Sequence, residues 1–257
     1  MTLGIVQYVS NTATNWGGNA EIGGSRVSGS FTPAATAKLY AFLWTETTPG
    51  TGLTLSVTDS LGNAVGSGWT TVLDSGLLSG GVGRARFAIW ELDTGSSPSA
   101  RTVTFSASET TGAIAYGIFA VTGNSPQIKS GQKQVDGAVG ASITVGDFPV
   151  AATSGNLVVM AVGANKDTSS APTTPTGFTV LFSVAGGGKY EAPAAFYRTD
   201  FTGVNAVFNN TGDSANISAG VLLEFEEAGP PPPILGLLAE DGKALLDESG
   251  RWLLADA

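Results

Sequence analysis

Glu91 and Asp93 stand two positions apart, a spacing that puts both carboxylates on one face of an extended strand and offers an acid and a base for glycoside cleavage. Such chemistry needs carboxyl groups about 5 to 5.5 Å apart for retention or about 6.5 to 9.5 Å apart for inversion, in a cleft that shifts one pKa. Spacing alone supplies no cleft, and solvated turn carboxylates are the plainer reading. The 257 residues contain no histidine and no cysteine. That composition excludes Ser-His-Asp and Cys-His nucleophiles, histidine- or thiolate-ligated metals, and disulfides. The expectation is a protein that is not an enzyme and uses no cofactor or metal.

Recognition is the other chemistry on offer. Trp90 and Tyr197 follow Ile89 and Phe196 on two segments whose alternation, Phe87 and Ile89 or Ala194 and Phe196, would face a core. Under that alternation Trp90 and Tyr197 face outward, where a flat aromatic face can stack on a pyranose. Arg86 and Arg198, with Arg84 beside them, could orient an acidic glycan through their planar forks. The competing reading packs both aromatics against a loop or the sister domain and leaves the arginines on the rim. Asp59-Ser60-Leu61-Gly62-Asn63 and Asn209-Asn210-Thr211-Gly212-Asp213 are oxygen-rich, but each supplies one aspartate where calcium gathers about 6 to 8 oxygens, so they read as turns. Gly186-Gly187-Gly188-Lys189 lacks the spacing and helix of a phosphate loop.

The elements that must position these residues come twice. Ala34-Ala35-Thr36 with Leu39, Gly68-Trp69-Thr70-Thr71-Val72, Ile89-Trp90, Phe105 and Ile114 to Ile118 are matched in order by Ala151-Ala152-Thr153 with Leu157, Gly177-Phe178-Thr179-Val180, Phe196-Tyr197, Phe208 and Ile217 to Val221. An ordered internal repeat of this kind implies two tandem domains of one fold. Segments 38–44, 53–57, 85–90, 102–105 and 114–121 are short, rich in β-branched and aromatic residues, and bounded by Gly, Ser, Asp or Pro, so they read as strands. Segments 156–162 and 217–225 are apolar on both alternating faces, which suits central strands covered on both sides. No window carries a capped helical period. The expected fold is all-β: two tandem antiparallel β-sandwiches of jelly-roll type, at 1–124 and 125–228, with Gly123-Asn124-Ser125-Pro126 as the hinge.

A third segment follows, 229–257, beginning with the spacer Gly229-Pro230-Pro231-Pro232-Pro233. Leu237-Leu238, Leu245-Leu246 and Leu253-Leu254 then recur every eight residues, separated by Asp241-Gly242 and Ser249-Gly250 hairpin signals, with Trp252 in the last unit. Isolated hairpins are marginal in water, so these leucines and Trp252 are expected to assemble, either with copies of this chain, a trimer being favoured, or with another protein.

With a formal net charge of −9 and no basic cluster, the chain is not expected to bind nucleic acid. Its start lacks the basic and apolar regions of an export signal, and no run approaches the roughly 18 apolar residues that span a bilayer. Cytoplasmic synthesis without membrane insertion is the expectation.

Gly-aromatic-Thr-x-[Val/Leu], as in Gly177-Phe178-Thr179-Val180, is followed by the Gly-rich loop and by Ala195-Phe196-Tyr197-Arg198. A strand ending in Phe208 and then Ile217-Ser218-Ala219-Gly220-Val221 complete the succession. It resembles sandwich modules of virion proteins from tailed bacteriophages and related gene transfer agents. The tail resembles the Leu-Leu-x-Glu-[Asp/Ser]-Gly repeats that end many phage structural proteins. These resemblances imply a capsid spike, head fibre, decoration protein or tail-fibre component, located in the virion, partnered by capsid or tail proteins and contributing to attachment at host-surface glycans. A carbohydrate-binding module protein is the alternative, and a glycan hydrolase the third reading.

Overall fold

The computed structural model describes residues 3–10, 24–47, 53–80, 83–108, 111–139, 142–166, 173–183, 190–191, 194–209 and 217–228. All regular structure among them is strand. The first half supplies β1 (Gly4–Ser10), β2 (Ser25–Val27), β3 (Lys38–Thr47), β4 (Leu55–Asp59), β5 (Ala64–Val65), β6 (Gly68–Gly80), β7 (Gly83–Asp93), β8 (Val103–Ala107) and β9 (Thr111–Thr122). They form one nine-stranded sheet of order β1-β9-β3-β7-β6-β5-β4-β8-β2.

That sheet curls into two layers because β6, 13 residues long, pairs with β7 at one edge and with β5 at the other. With β5 and β6 counted as one strand, the first strand lies beside the last, the third beside the sixth and the second beside the seventh. This is the double Greek key of a jelly roll.

The second half repeats the order. Its strands are β10 (Pro126–Val139), β11 (Ser142–Val145), β12 (Leu157–Lys166), β13 (Thr179–Ser183), β14 (Tyr190–Glu191), β15 (Ala194–Arg198), β16 (Ala206–Asn209) and β17 (Ile217–Glu227). The path β10-β17-β12-β15-β13 corresponds to β1-β9-β3-β7-β6, and the two-stranded sheet β11-β16 corresponds to β2-β8.

Hydrophobic burial explains why the halves do not stand apart. Leu39, Ala41, Trp69, Trp90, Phe105 and Tyr116 fill the first sandwich, and Val158, Met160, Phe178, Phe196, Phe208 and Leu222 fill the second. A third cluster belongs to neither alone: Tyr40, Phe42, Trp44, Phe87 and Phe119 from the first half pack with Leu157, Val159, Phe182, Val221 and Phe225 from the second. Strands β3 and β12 are therefore covered on both faces, as their unbroken apolar runs require. Fully burying such side chains contributes about 1.5 to 3 kcal/mol each, and residues Met1–Glu227 accordingly form one compact unit.

Of the expected hinge Gly123-Asn124-Ser125-Pro126, Pro126 already begins β10 and the remaining link is tightly fitted. Gly123 has φ +150° and a Cβ there would lie 2.7 Å from Leu3 Cδ2, while Asn124 N–H donates to Glu227 at 3.5 Å.

Candidate functional site

Trp90, expected to face outward, is only 2% exposed and lies inside the first sandwich. The physical reason is a one-residue slip in the repeat alignment. Ala41 pairs across the ladder with Trp90 and Ile118, and Met160 with Phe196 and Leu222, so Trp90 corresponds to Phe196 and not to Tyr197. A slip of one residue exchanges the two faces of a strand. Both faces of β7 are covered, one by the outer layer and one by the second half, and neither presents an aromatic platform. Tyr197 is half-buried and turned toward the shared core.

Arg86 is held inside the first half. Its Nε and Nη2 donate to the Asp74 carboxylate at 2.7 and 2.5 Å, and Nη1 donates to the Leu53 carbonyl. Arg198 is engaged by Asp200, with Nε to Oδ1 at 2.5 Å, and its guanidinium lies 5.9 Å from the Phe201 ring centroid. The bond between them raises the Arg198 pKa and lowers that of Asp200. Trp90 and Arg86 thus belong to one half, Tyr197 and Arg198 to the other, and the four do not converge on one site.

Glu91 and Asp93 are both paired with Lys38, whose Nζ lies 3.4 Å from each carboxylate. Tyr40 also donates its hydroxyl to Glu91 at 3.1 Å. Burial first, and then the neighbouring Glu91 charge and hydrogen bond, push the Tyr40 pKa far up, so the phenol keeps its proton. One lysine thus holds both carboxylates beside Tyr40 of the shared core. The Asp59 loop closes as a turn: Oδ1 accepts from the N–H groups of Leu61 and Asn63 at 2.9 and 3.1 Å, and Arg101 supplies the cation at 3.1 Å. The Gly186–Lys189 stretch, residues 210–213, and the tail residues Leu237, Leu238, Leu245, Leu246, Trp252, Leu253 and Leu254 lie outside the described residues.

The site the structure does build is a groove of about 340 Å³ in the second sandwich. One wall is Thr173–Thr176 with Phe178; the other is Phe201, Asn205–Val207 and Asn209. A turn closed by Phe178 N–H to the Pro175 carbonyl at 3.0 Å shapes the first wall. Gly177 in that turn has φ +80°, which favours glycine, and the Arg198 guanidinium lies against its Cα. Arg198 therefore flanks the groove through Gly177 and Phe201. Among the described residues, no lining side chain is ionisable. The lining offers hydroxyls, amides and small apolar surface, the equipment of recognition and not of proton transfer.

Glu224 went unremarked in the sequence, although an acid inside the apolar run Val221-Leu222-Leu223-Glu224-Phe225 is a signal of a buried, paired carboxylate. It is fully buried and accepts from Thr153 N–H at 2.9 Å, Asn156 Nδ2 at 2.6 Å and Lys129 Nζ at 3.3 Å. Burial pushes its pKa up, but these hydrogen bonds and the lysine charge outweigh it and hold the carboxyl below the ordinary glutamate value. Its task is to fasten the Ala151–Thr153 turn. In the first half Thr94 fastens the equivalent turn, donating its hydroxyl to the Ala34 carbonyl at 2.7 Å and accepting from Ala37 N–H at 2.9 Å.

No family model, curated protein or solved structure matches this chain.

Proposed function

We propose that the chain is a non-enzymatic structural component of a bacteriophage or phage-like particle: a surface spike, fibre or decoration protein that contributes to host-surface attachment. The observation that carries the reading is the third hydrophobic cluster, which joins two jelly rolls face to face in one block. Two sandwiches sharing a dry, aromatic-rich face cannot swivel as linked domains do, because separating them would expose Tyr40, Phe42, Trp44, Phe182 and Phe225 together. Such a block holds loops at a set distance from whatever anchors it. That is the mechanical requirement of a particle protein.

The eight-residue repeat of the tail supplies the second half of the reading, with Leu237, Leu245, Leu253 and Trp252 as the assembly stripe of a homo-oligomer, a trimer by preference, or as the contact to a capsid or tail protein. Particles purified on a density gradient from the producing strain and labelled with immunogold against the chain test it. Label at regular positions on the particle is the expected result. Label confined to the soluble lysate would overturn the reading.

A further inference from the structure

The two halves share a strand order but not a strand count. In the first half β4 lies between β5 and β8, antiparallel to β8, with Leu55 opposite Ala107, Val57 opposite Phe105 and Asp59 opposite Val103. Among the described residues the second half has no counterpart of β4: β16, which takes the place of β8, is paired with β11 in a two-stranded sheet. The interval before the groove is also shorter in the second half. From Thr47, where β3 ends, to Trp69 is 22 positions (69 minus 47), and from Lys166, where β12 ends, to the matching Phe178 is 12 (178 minus 166). The shortfall of ten is about what the five residues of β4 and their turn occupy.

The groove lies where that strand would run. In the first half the sheet continues from β8 through β4 to β5, whose Ala64 stands five positions before Trp69 (69 minus 64). In the second half Thr173 stands five before Phe178 (178 minus 173), so the wall Thr173–Thr176 holds the place of β5 while β16 holds that of β8. Between the two is the open slot.

Backbone chirality says which groups of β16 look into it. On an L-peptide strand of given direction, the residues whose side chains face the core all send their N–H and C=O to one side. In β8 those are Val103, Phe105 and Ala107, which bond toward β2: Ser28 N–H donates to Val103 O at 2.8 Å and Ala107 N–H to Gly24 O at 3.0 Å. Their neighbours bond toward β4, where Ser60 N–H donates to Thr102 O and Ser108 N–H to Thr54 O, both at 3.0 Å. In β16 the core-facing residue is Phe208, which by the same rule sends its N–H and C=O toward β11. The main-chain groups of Val207 and Asn209 therefore point into the groove, and both residues line it.

We propose that this groove accepts an extended segment of a partner polypeptide, which adds to β16 in the place that β4 holds beside β8, a place that no strand among the described residues of the second half takes. The first half supplies the template for the occupant. Leu55-Ser56-Val57-Thr58 alternates apolar and polar, with Val57 buried against the strand that carries Phe105; the alternation ends at Asp59, which is turned inward to pair with Arg101. A segment of about four or five residues with the same alternation, apolar inward and hydroxyl-bearing outward, matches the lining, which is uncharged among the described residues. The edge also lacks the usual protection. Bare edges are commonly guarded by lysine, proline or an inward charge, whereas Asn205–Asn209 has neither charge nor proline and leaves Val207 49% exposed. A glycan fits less well, because Phe178 and Phe201 are 8% and 7% exposed and present no flat face for stacking. The inference does not depend on the particle reading.

The full chain and a fluorescein-labelled synthetic peptide of the Leu53–Ser60 sequence form the test, read by fluorescence anisotropy, with a scrambled peptide as control. Val207→Pro removes an N–H aimed at the slot and leaves the bonds to β11 in place; Val207→Lys alters only an exposed side chain and guards the edge with charge. The expected result is saturable binding by the parent chain, weakened about tenfold or more in both variants, with no binding of the scrambled peptide and with melting temperatures close to the parent's. Four results would overturn it: no saturable binding, equal binding by parent and variants, self-association that removes the free edge as concentration rises, or glycan-array signals abolished by the same substitutions.

Discussion

Replacing Phe225 by alanine should unfold both jelly rolls together, although the residue belongs to the second. Phe225 is fully buried on β17 and meets the ring of Tyr40, on β3 of the first half, edge-on at 5.1 Å and 69°. Tyr40 cannot swing into the space left behind, because it stacks on Phe119 at 5.4 Å and its hydroxyl is committed to Glu91. A buried Phe→Ala change costs about 3 to 5 kcal/mol, and an aromatic pair adds about 0.5 to 1.5 kcal/mol beyond its area. A loss near the upper end, roughly 4 to 5 kcal/mol, follows from the fixed position of Tyr40. For a unit of this size that lowers Tm by roughly 10 to 20 °C. Urea unfolding followed by far-UV circular dichroism and by tryptophan fluorescence reads the effect, since Trp44, Trp69 and Trp90 all sit in the first half and are buried. Both probes should shift to the same lower midpoint. A fluorescence midpoint equal to the parent's, beside a separate early loss of circular dichroism, would refute a shared core.

Arg101→Ala leaves the buried Asp59 carboxylate without its cation and is expected to destabilise by about 3 to 5 kcal/mol, measured by denaturant midpoint; a change below about 1 kcal/mol would show that the Leu61 and Asn63 donors suffice. Because the folded-state pKa of Glu224 is depressed, its contribution is complete above its unfolded value and lost as pH falls through the folded one. Stability should therefore decline on acidification below about 4.5, the ordinary glutamate value, and Glu224→Gln should flatten that decline in Tm against pH. Removing residues 229–257 should leave the compact unit folded and abolish oligomerisation; an unchanged mass by light scattering would count against the tail as the assembly element.

Much of the fold was legible in the residues. The apolar runs at 156–162 and 217–225 read as doubly covered strands, and both are. That same double coverage defeated the reading of faces. Where every position on a strand is apolar, as in Phe87 to Trp90, period-2 alternation carries no sign of which side meets which layer, and a repeat aligned by residue type slips by one without penalty. Trp90 was matched to Tyr197 on that basis, and the hydrogen-bonded ladder matches it to Phe196. Phe105 and Phe208, on strands with a polar outer face, were matched correctly, because alternation survives there. The groove left a single trace in the sequence, the shorter interval before Phe178, which becomes meaningful only once β4 is seen in the first half. The third cluster required knowing that the covered faces belong to each other.

The particle reading rests on two jelly rolls behaving as one rigid body, and differential scanning calorimetry of the whole chain measures this most directly. A shared core requires one cooperative transition spanning both halves, with calorimetric and van't Hoff enthalpies equal. Two resolved transitions, or a calorimetric enthalpy near twice the van't Hoff value, would mean that each sandwich unfolds independently and would contradict the fused block.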